Sequence, residues 1–104
     1  MLFNINDIRE TLKKDKIKWS GHILTRIQQR GIKIKDIIEC INNGEIIEYY
    51  SSDYPFPSCL ILGYCDNSKG IHVVCSLGED NVWMITAYYP NIDEWLEDFK
   101  TRRR

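Results

Sequence analysis

The chain has 104 residues, which suits one domain spanning 1–104 with one modest hydrophobic core. Hydrophobic residues make up 43% of it, charged residues 28%, and the net charge is −1, a composition ordinary for a globular protein. The longest apolar runs are too short to span a bilayer and the N-terminus lacks a signal-peptide pattern, so we expect a cytoplasmic protein with no membrane partner.

The first third of the chain predicts three helices. Asn4 is a good N-cap for the first helix, with Asp7 three residues on as its capping-box partner. Ser20 is the expected N-cap of the second helix, and Gly31 suits the left-handed position after its last turn. The third helix should cover 35–43, where isoleucines recur at helical spacing before a glycine ends it.

After Gly44 the hydrophobic pattern changes from a helical period to the alternation of β-strands. It predicts four strands rich in Ile, Val and Tyr, over 45–51, 59–65, 71–77 and 82–89. Turns of hairpin length are expected at 66–70 and 78–81. Consecutive strands joined in this way should form an antiparallel meander.

A short last helix is predicted after Pro90, capped by Asn91 with Glu94 and carrying an apolar stripe of Ile92, Trp95, Leu96 and Phe99. The lysine-rich residues 13–18 are expected to form only a charged connection. Helices that are separate from strands along the chain predict an α+β fold. The N-terminal helices should pack on one face of a four-stranded antiparallel sheet.

Charge is distributed unevenly along the chain. Residues 1–35 carry nine lysines and arginines against three acids, whereas residues 36–100 carry twelve acids against two lysines. Arg102, Arg103 and Arg104 then add a basic tail. Such a molecule can turn a cationic face toward a polyanion, although charge runs are also common on solvated helix faces.

The four cysteines, Cys40, Cys59, Cys65 and Cys75, show no CxxC spacing and are expected to be reduced and buried. The last three, taken with His72, fit no common zinc module, so no metal site is predicted. No nucleotide-binding glycine loop is present, and no cofactor is expected. His72 should instead make a structural hydrogen bond from its strand.

The candidate site begins on the second helix. His22, Arg26 and Arg30 follow one another at intervals of four residues, and each interval advances only about 40° around a helix, so they form one row, hereafter the basic row. The row borders the apolar arc of Ile23 and Ile27, which should place it where the helix meets the sheet. A titratable group beside two permanent cations can bind a phosphate and move a proton. The alternative is that the arginine stems merely cover apolar surface.

The last strand offers a second set of polar groups. Regular alternation would put Thr86 and Tyr88 on one face with Met84, opposite Trp83. From there a hydroxyl and a phenol could position a phosphate oxygen or a substrate hydroxyl, as the other half of a cleft. Because both residue types are common in strands, a structural role is the alternative.

Two motifs carry a resemblance to a known family: HxxxRxxxRGI at 22–32 and ITAYYP at 85–90. Over about residues 18–95 the chain resembles small bacterial domains of unknown function similar to the BrnT toxins, of the barnase/RelE-like superfamily of metal-independent ribonucleases. The resemblance implies a RelE/barnase-like fold. It also implies RNA as a partner, and an antitoxin protein as a second one.

The activity that the resemblance implies is a toxin-like endoribonuclease that acts through the RNA 2′-hydroxyl. His22 would be a general base or acid, and Arg26 and Arg30 would hold the scissile phosphate. Thr86 and Tyr88 would orient the phosphate or a base. The alternatives are a non-catalytic module of the same fold that binds nucleic acid or protein, and a regulatory or structural domain.

Overall fold

The structure, a computed structural model, describes residues 3–65 and 68–104. Within these residues three helices and a five-stranded mixed sheet confirm the α+β class. The elements in chain order are α1 Ile5–Lys13, β1 Ile17–Trp19, α2 Ile23–Gln29, α3 Ile34–Asn43, β2 Glu45–Tyr50, β3 Ser58–Cys65, β4 Lys69–Gly78 and β5 Asn81–Tyr88. Residues 66 and 67 of the predicted turn at 66–70 lie outside the described residues. None of the helices described is long and apolar enough to cross a membrane.

Side-chain caps explain where α1 and α3 begin. The Asn4 side chain accepts from the Asp7 amide at 3.0 Å and the Asp7 carboxylate accepts from the Asn4 amide at 2.9 Å, which confirms the predicted capping box. At α3 the Asp36 carboxylate accepts from the Lys33 amide at 2.9 Å. This single bond caps a helix whose N-cap residue has no acceptor side chain, and α3 ends at Asn43 as predicted.

The strand order in the sheet is β1-β5-β4-β3-β2. Strands β2 to β5 form the predicted antiparallel meander. The prediction of a four-stranded, purely antiparallel sheet is wrong, because β1 adds a parallel edge strand along residues 82–84 of β5. Residues 13–18, predicted as a charged connection, contain most of β1. Ile17 and Trp19 pack against the core, while Lys18 between them is exposed.

The helices cover one face of the sheet, here called the helical face. Ile8 of α1, Ile23 and Ile27 of α2, and Ile37 and Ile41 of α3 all belong to one buried cluster. Their partners on the strands are Cys59, Ile61, Ile71, Val73, Cys75, Val82, Met84 and Ala87. Burial of side chains of this size stabilises each by about 1.5–3 kcal/mol, which holds the helices on the sheet.

A β-bulge in β5 decides which side chains reach the opposite face, here called the far face. Met84 and Thr86 pair with adjacent residues of β4, so Ile85 between them has no partner. The alternation of side chains therefore slips by one residue. Thr86 and Tyr88 lie on the far face with Trp83, and the prediction that they share a face with Met84 is wrong.

Residues 91–104, hereafter the C-terminal segment, lie across part of the far face without forming the predicted helix. Its turns are closed by side chains, since the Asn91 carboxamide accepts from the amide two residues on and the Asp98 carboxylate accepts from two amides. Trp95 and Arg102 form a short antiparallel bridge, and Trp95 is only 2% exposed. Local side-chain acceptors and the burial of Trp95 thus compete successfully with helix formation.

Candidate functional site

Helix α2 is attached to the edge of β5 at both ends. At its start the amide and the hydroxyl of Ser20 both donate to the Met84 carbonyl, at 3.0 and 2.9 Å. At its end the Arg30 side chain donates to the Ala87 carbonyl at 2.8 Å. The prediction that Ser20 caps the helix is wrong, because the strand uses its hydroxyl, and His22 is the N-cap.

The three side chains of the basic row have different surroundings. His22 and Arg26 are exposed and have no side-chain hydrogen bond among the described residues, whereas Arg30 reaches β5. The buried stripe of α2 is centred between Ile23 and Ile27, and Arg30, Arg26 and His22 lie about 40°, 80° and 120° from that centre. Only Arg30 therefore reaches the predicted position where helix and sheet meet.

Arg30 occupies a stretch of β5 that β1 leaves unpaired. Since β1 pairs only with residues 82–84, the edge beyond them needs other donors. Arg30 Nη1 donates to the Ala87 carbonyl and to Thr86 Oγ1, the latter at 3.3 Å. In the described part of the chain no acceptor meets Nε or Nη2, so two sets of donors remain beside the Thr86 hydroxyl. This contact joins the helix and strand halves of the candidate site. The remaining guanidinium donors of Arg30 can bind an oxyanion.

Tyr88 lies two residues farther along the far face, where it is half-buried and contacts the buried His72. His72 Nε2 lies 2.8 Å from the Phe99 carbonyl, which can only accept, so Nε2 carries the proton. Nδ1 is then the acceptor, and the Tyr88 hydroxyl donates to it at 3.4 Å. Burial lowers the pKa of His72 and raises the pKa of Tyr88, so both are neutral at pH 7. The predicted structural hydrogen bond of His72 is confirmed.

A charged pair on the far face escaped sequence reasoning. Arg102 Nε and Nη2 donate to the two carboxylate oxygens of Glu48, at 2.9 and 3.1 Å. The Tyr50 hydroxyl donates to the same carboxylate at 2.6 Å. These hydrogen bonds, first the one from Arg102, hold the pKa of Glu48 below its usual value. The one available signal was the strand alternation that puts Glu48 and Tyr50 on the same face.

The C-terminal segment covers the pair of His72 and Tyr88. The Trp95 ring meets His72 edge-on with centroids 4.6 Å apart, and the Arg102 guanidinium lies 4.5 Å from the centroid of the Trp95 ring. His72 is fully buried as a result, whereas Thr86 and Tyr88 are half-buried. A ligand on the far face could therefore contact Thr86 and Tyr88 but not His72.

Among the described residues, the candidate site contains cationic and hydroxyl side chains, and neither a metal-ligand cluster nor an exposed thiol is found. The described residues contain no group of three or more His, Cys, Asp or Glu side chains that could hold a metal ion. All four cysteines are free and buried, and burial raises the pKa of the Cys40 thiol to about 12. The groups that remain are the cations along α2, which can bind an oxyanion, together with two hydroxyls on β5 and one exposed imidazole.

Fold and site together define a small α+β domain with a cationic helix at an incompletely paired sheet edge. The chain belongs to the family described as domain of unknown function DUF4258, whose model matches residues 19–89. The match includes the whole basic row, Thr86 and Tyr88, and it ends before the C-terminal segment. Neither the comparison with curated proteins nor the comparison with solved structures gives a match.

Proposed function

We propose that this protein is a metal-independent endoribonuclease with a RelE/barnase-like fold, similar to the BrnT toxins. One observation carries the proposal: Arg30 is fixed at the edge of β5 by Ala87 and Thr86 while its Nε and Nη2 donors remain for a ligand. A guanidinium fork of this kind matches the oxygens of a phosphodiester. Arg26 and His22 extend the same row along α2 and would meet the reacting nucleotide, Arg26 at the scissile phosphate and His22 at the oxygens that exchange protons.

The proposed reaction needs no metal ion or cofactor. The ribose 2′-oxygen attacks the adjacent phosphorus and the bond to the 5′-oxygen breaks, which gives a 2′,3′-cyclic phosphate and a free 5′-hydroxyl. His22 takes the 2′-hydroxyl proton while water protonates the departing 5′-oxygen, or His22 protonates that oxygen while water takes the 2′-hydroxyl proton. Arg26 and Arg30 stabilise the charge that develops on the phosphoryl oxygens.

Thr86 and Tyr88 would orient the substrate from the far face. Thr86 Oγ1 accepts from Arg30, so its own proton can be donated to a phosphate oxygen. The Tyr88 hydroxyl donates to His72, so its oxygen can accept a hydrogen bond from a ribose hydroxyl or from a base. Neither role requires His72 to contact the RNA.

The test is to incubate the purified protein with single-stranded RNA in EDTA and to analyse the product ends. We expect fragments with 2′,3′-cyclic phosphate and 5′-hydroxyl ends. A matched RNA with 2′-deoxyribose at the cleaved position should remain intact at that position, because it lacks the attacking oxygen. Absence of cleavage, or cleavage of the deoxy-substituted RNA at the same bond, would contradict the proposal.

The second candidate function is a module that binds RNA without cleaving it. The observation that favours it is the solvent position of His22, which no described acid or base side chain contacts. Binding should then weaken with salt, with a slope of log K against log salt near −0.7 for each phosphate contact. No product should form over hours. In either case a partner protein such as an antitoxin would act by covering the basic row.

A further inference from the structure

A pocket of about 400 Å³ opens on the far face beside the start of the basic row. Its walls are mainly aromatic and aliphatic, from Tyr54, Phe56, Trp83 and Ile85, and its polar groups include Ser20 and Asp53. Sites for small ligands generally have volumes of about 300–1,000 Å³ and combine an apolar lining with a few polar groups. The size and lining therefore suit one planar, heteroaromatic group.

The aromatic wall of this pocket is held by contacts within the chain. Trp83 Nε1 donates to the Gly78 carbonyl at 3.0 Å, and the Phe56 ring occupies the space that a side chain at Gly78 would need. The Phe56 and Trp83 rings are 6.0 Å apart between centroids and tilted by 36°. Tyr54 also lines the pocket and is 94% exposed, so its ring is accessible to a ligand from the solvent side.

The pocket and the anion site meet at β5 and at the residues that lead into α2. Ser20 lines the pocket, is bonded to Met84 and comes two residues before His22. On β5 the unpaired residue Ile85 lines the pocket, and Thr86 directly follows it at the Arg30 guanidinium. An aromatic cavity thus adjoins a row of cations, which is the complement of a base joined to a phosphate.

We propose that this pocket binds one unpaired base of an RNA strand whose phosphates lie on the basic row. This inference rests on the proposed function and specifies its substrate as single-stranded RNA with a base turned out of its stack. Base–aromatic stacking tolerates any base. The Asp53 carboxylate accepts a hydrogen bond from the Ser58 hydroxyl at Oδ2, so Oδ1 would accept one from a base amino group.

The experiment measures binding of a fluorescein-labelled eight-nucleotide single-stranded RNA in EDTA, with a 2′-O-methyl backbone that cannot be cleaved. The variants are Tyr54→Ala and Trp83→Leu, and the matched control is Tyr64→Ala, which removes an exposed tyrosine elsewhere on the sheet. We expect both pocket variants to bind at least about fivefold more weakly and the control to bind like the wild type. Circular dichroism verifies that each variant is folded, and Tyr54→Ala suffices should Trp83→Leu unfold.

Competition identifies the group that enters the pocket. Nucleoside 5′-monophosphates should displace the labelled RNA at concentrations at which ribose 5-phosphate does not, and duplex RNA should compete poorly. Wild-type affinity in Tyr54→Ala, or equal competition by ribose 5-phosphate, would overturn the inference. Cleavage of unmodified RNA is scored separately: pocket-dependent binding without cleavage refutes the ribonuclease, and cleavage with pocket-independent binding refutes only the pocket.

Discussion

Arg26 lies on α2 and Arg30 follows one helical turn later as its C-cap, and among the described residues Arg30 alone of the two has a side-chain contact. Its Nη1 satisfies the Ala87 carbonyl at a strand edge that would otherwise depend on water. Arg26 is exposed and contacts no acceptor in the described part of the chain. Substitutions at these two residues can therefore distinguish what an arginine of the basic row contributes to stability from what it contributes to anion binding.

Replacing each arginine in turn gives the first prediction. Arg30→Ala should lower the free energy of unfolding by about 1 kcal/mol, the usual net value of one hydrogen bond, and Arg26→Ala should leave it unchanged. Both variants should make the slope of log K against log salt for RNA binding shallower by about 0.7, because each removes one phosphate contact. Urea unfolding and binding titrations at several salt concentrations measure the two effects. Equal stability of the two variants would contradict the contact at Ala87.

The buried His72 gives the second prediction, on pH. Because burial lowers its pKa below the usual 6.5, the unfolded chain binds a proton more readily than the folded protein. The contribution of His72 to stability is complete above pH 6.5 and is lost as the pH falls from there toward the lower folded pKa. The glutamine in His72→Gln does not titrate. The free energy of unfolding of this variant should therefore fall less than that of the wild type when the pH is lowered from 7.5 to 5.5. Equal losses of unfolding free energy in the two proteins, measured by urea unfolding, would contradict this assignment.

At the scale of elements, sequence pattern predicts most of the fold, because α1, α3 and β2 to β5 have clear hydrophobic periods and α1 also has a capping box. Strand β1 escapes prediction since it has only three residues and exists through pairing with β5. The bulge at Ile85 escapes it too, because nothing in the alternation of 82–89 indicates the slip. That one slip moved Thr86 and Tyr88 to the far face, so the sequence could name them as candidates but could not place them on the correct face.

The close packing of α3 on β3 gives the third prediction. A side chain at Gly63 would lie 2.5 Å from the Cys40 carbonyl oxygen and 2.6 Å from its Cα, and backbone atoms cannot move aside cheaply. Gly63→Ala should therefore lower the free energy of unfolding by about 1–3 kcal/mol. Combining it with Cys40→Ala should not restore stability, because the conflict is with the backbone. Thermal unfolding of the two variants decides this, and rescue by Cys40→Ala would show that the sulfur was the obstacle.

At the scale of the whole molecule, positive charge is concentrated in the first third of the chain and the sheet region is acidic. The C-terminal segment brings Arg102 back to Glu48 and covers His72. Both arginine–glutamate hydrogen bonds are partly exposed, so the pair should contribute at most about 1 kcal/mol to stability. Its effect should instead be local, on how closely the segment is held against the far face.

Hydrogen–deuterium exchange tests this local effect as the fourth prediction. Glu48→Gln removes the charge that Arg102 contacts, and Glu10→Gln, the matched control, removes the charge that pairs with Lys13 on α1 at 3.4 Å, away from the segment. Amides of 91–104 should exchange faster in Glu48→Gln, because Arg102 also stacks on Trp95 and so connects the pair to the segment. Equal exchange in the two variants would show that the Arg102 pair does not hold the segment.

The ribonuclease proposal has one most direct measurement, the rate of RNA cleavage in EDTA by the double variant His22→Ala and Arg26→Ala. Both side chains are exposed, so the variant should fold like the wild type. General acid–base catalysis typically contributes about 10²–10⁴ to a rate, and we predict a loss of at least about 10²-fold. A cleavage rate equal to that of the wild type would contradict the assignment of catalysis to the basic row.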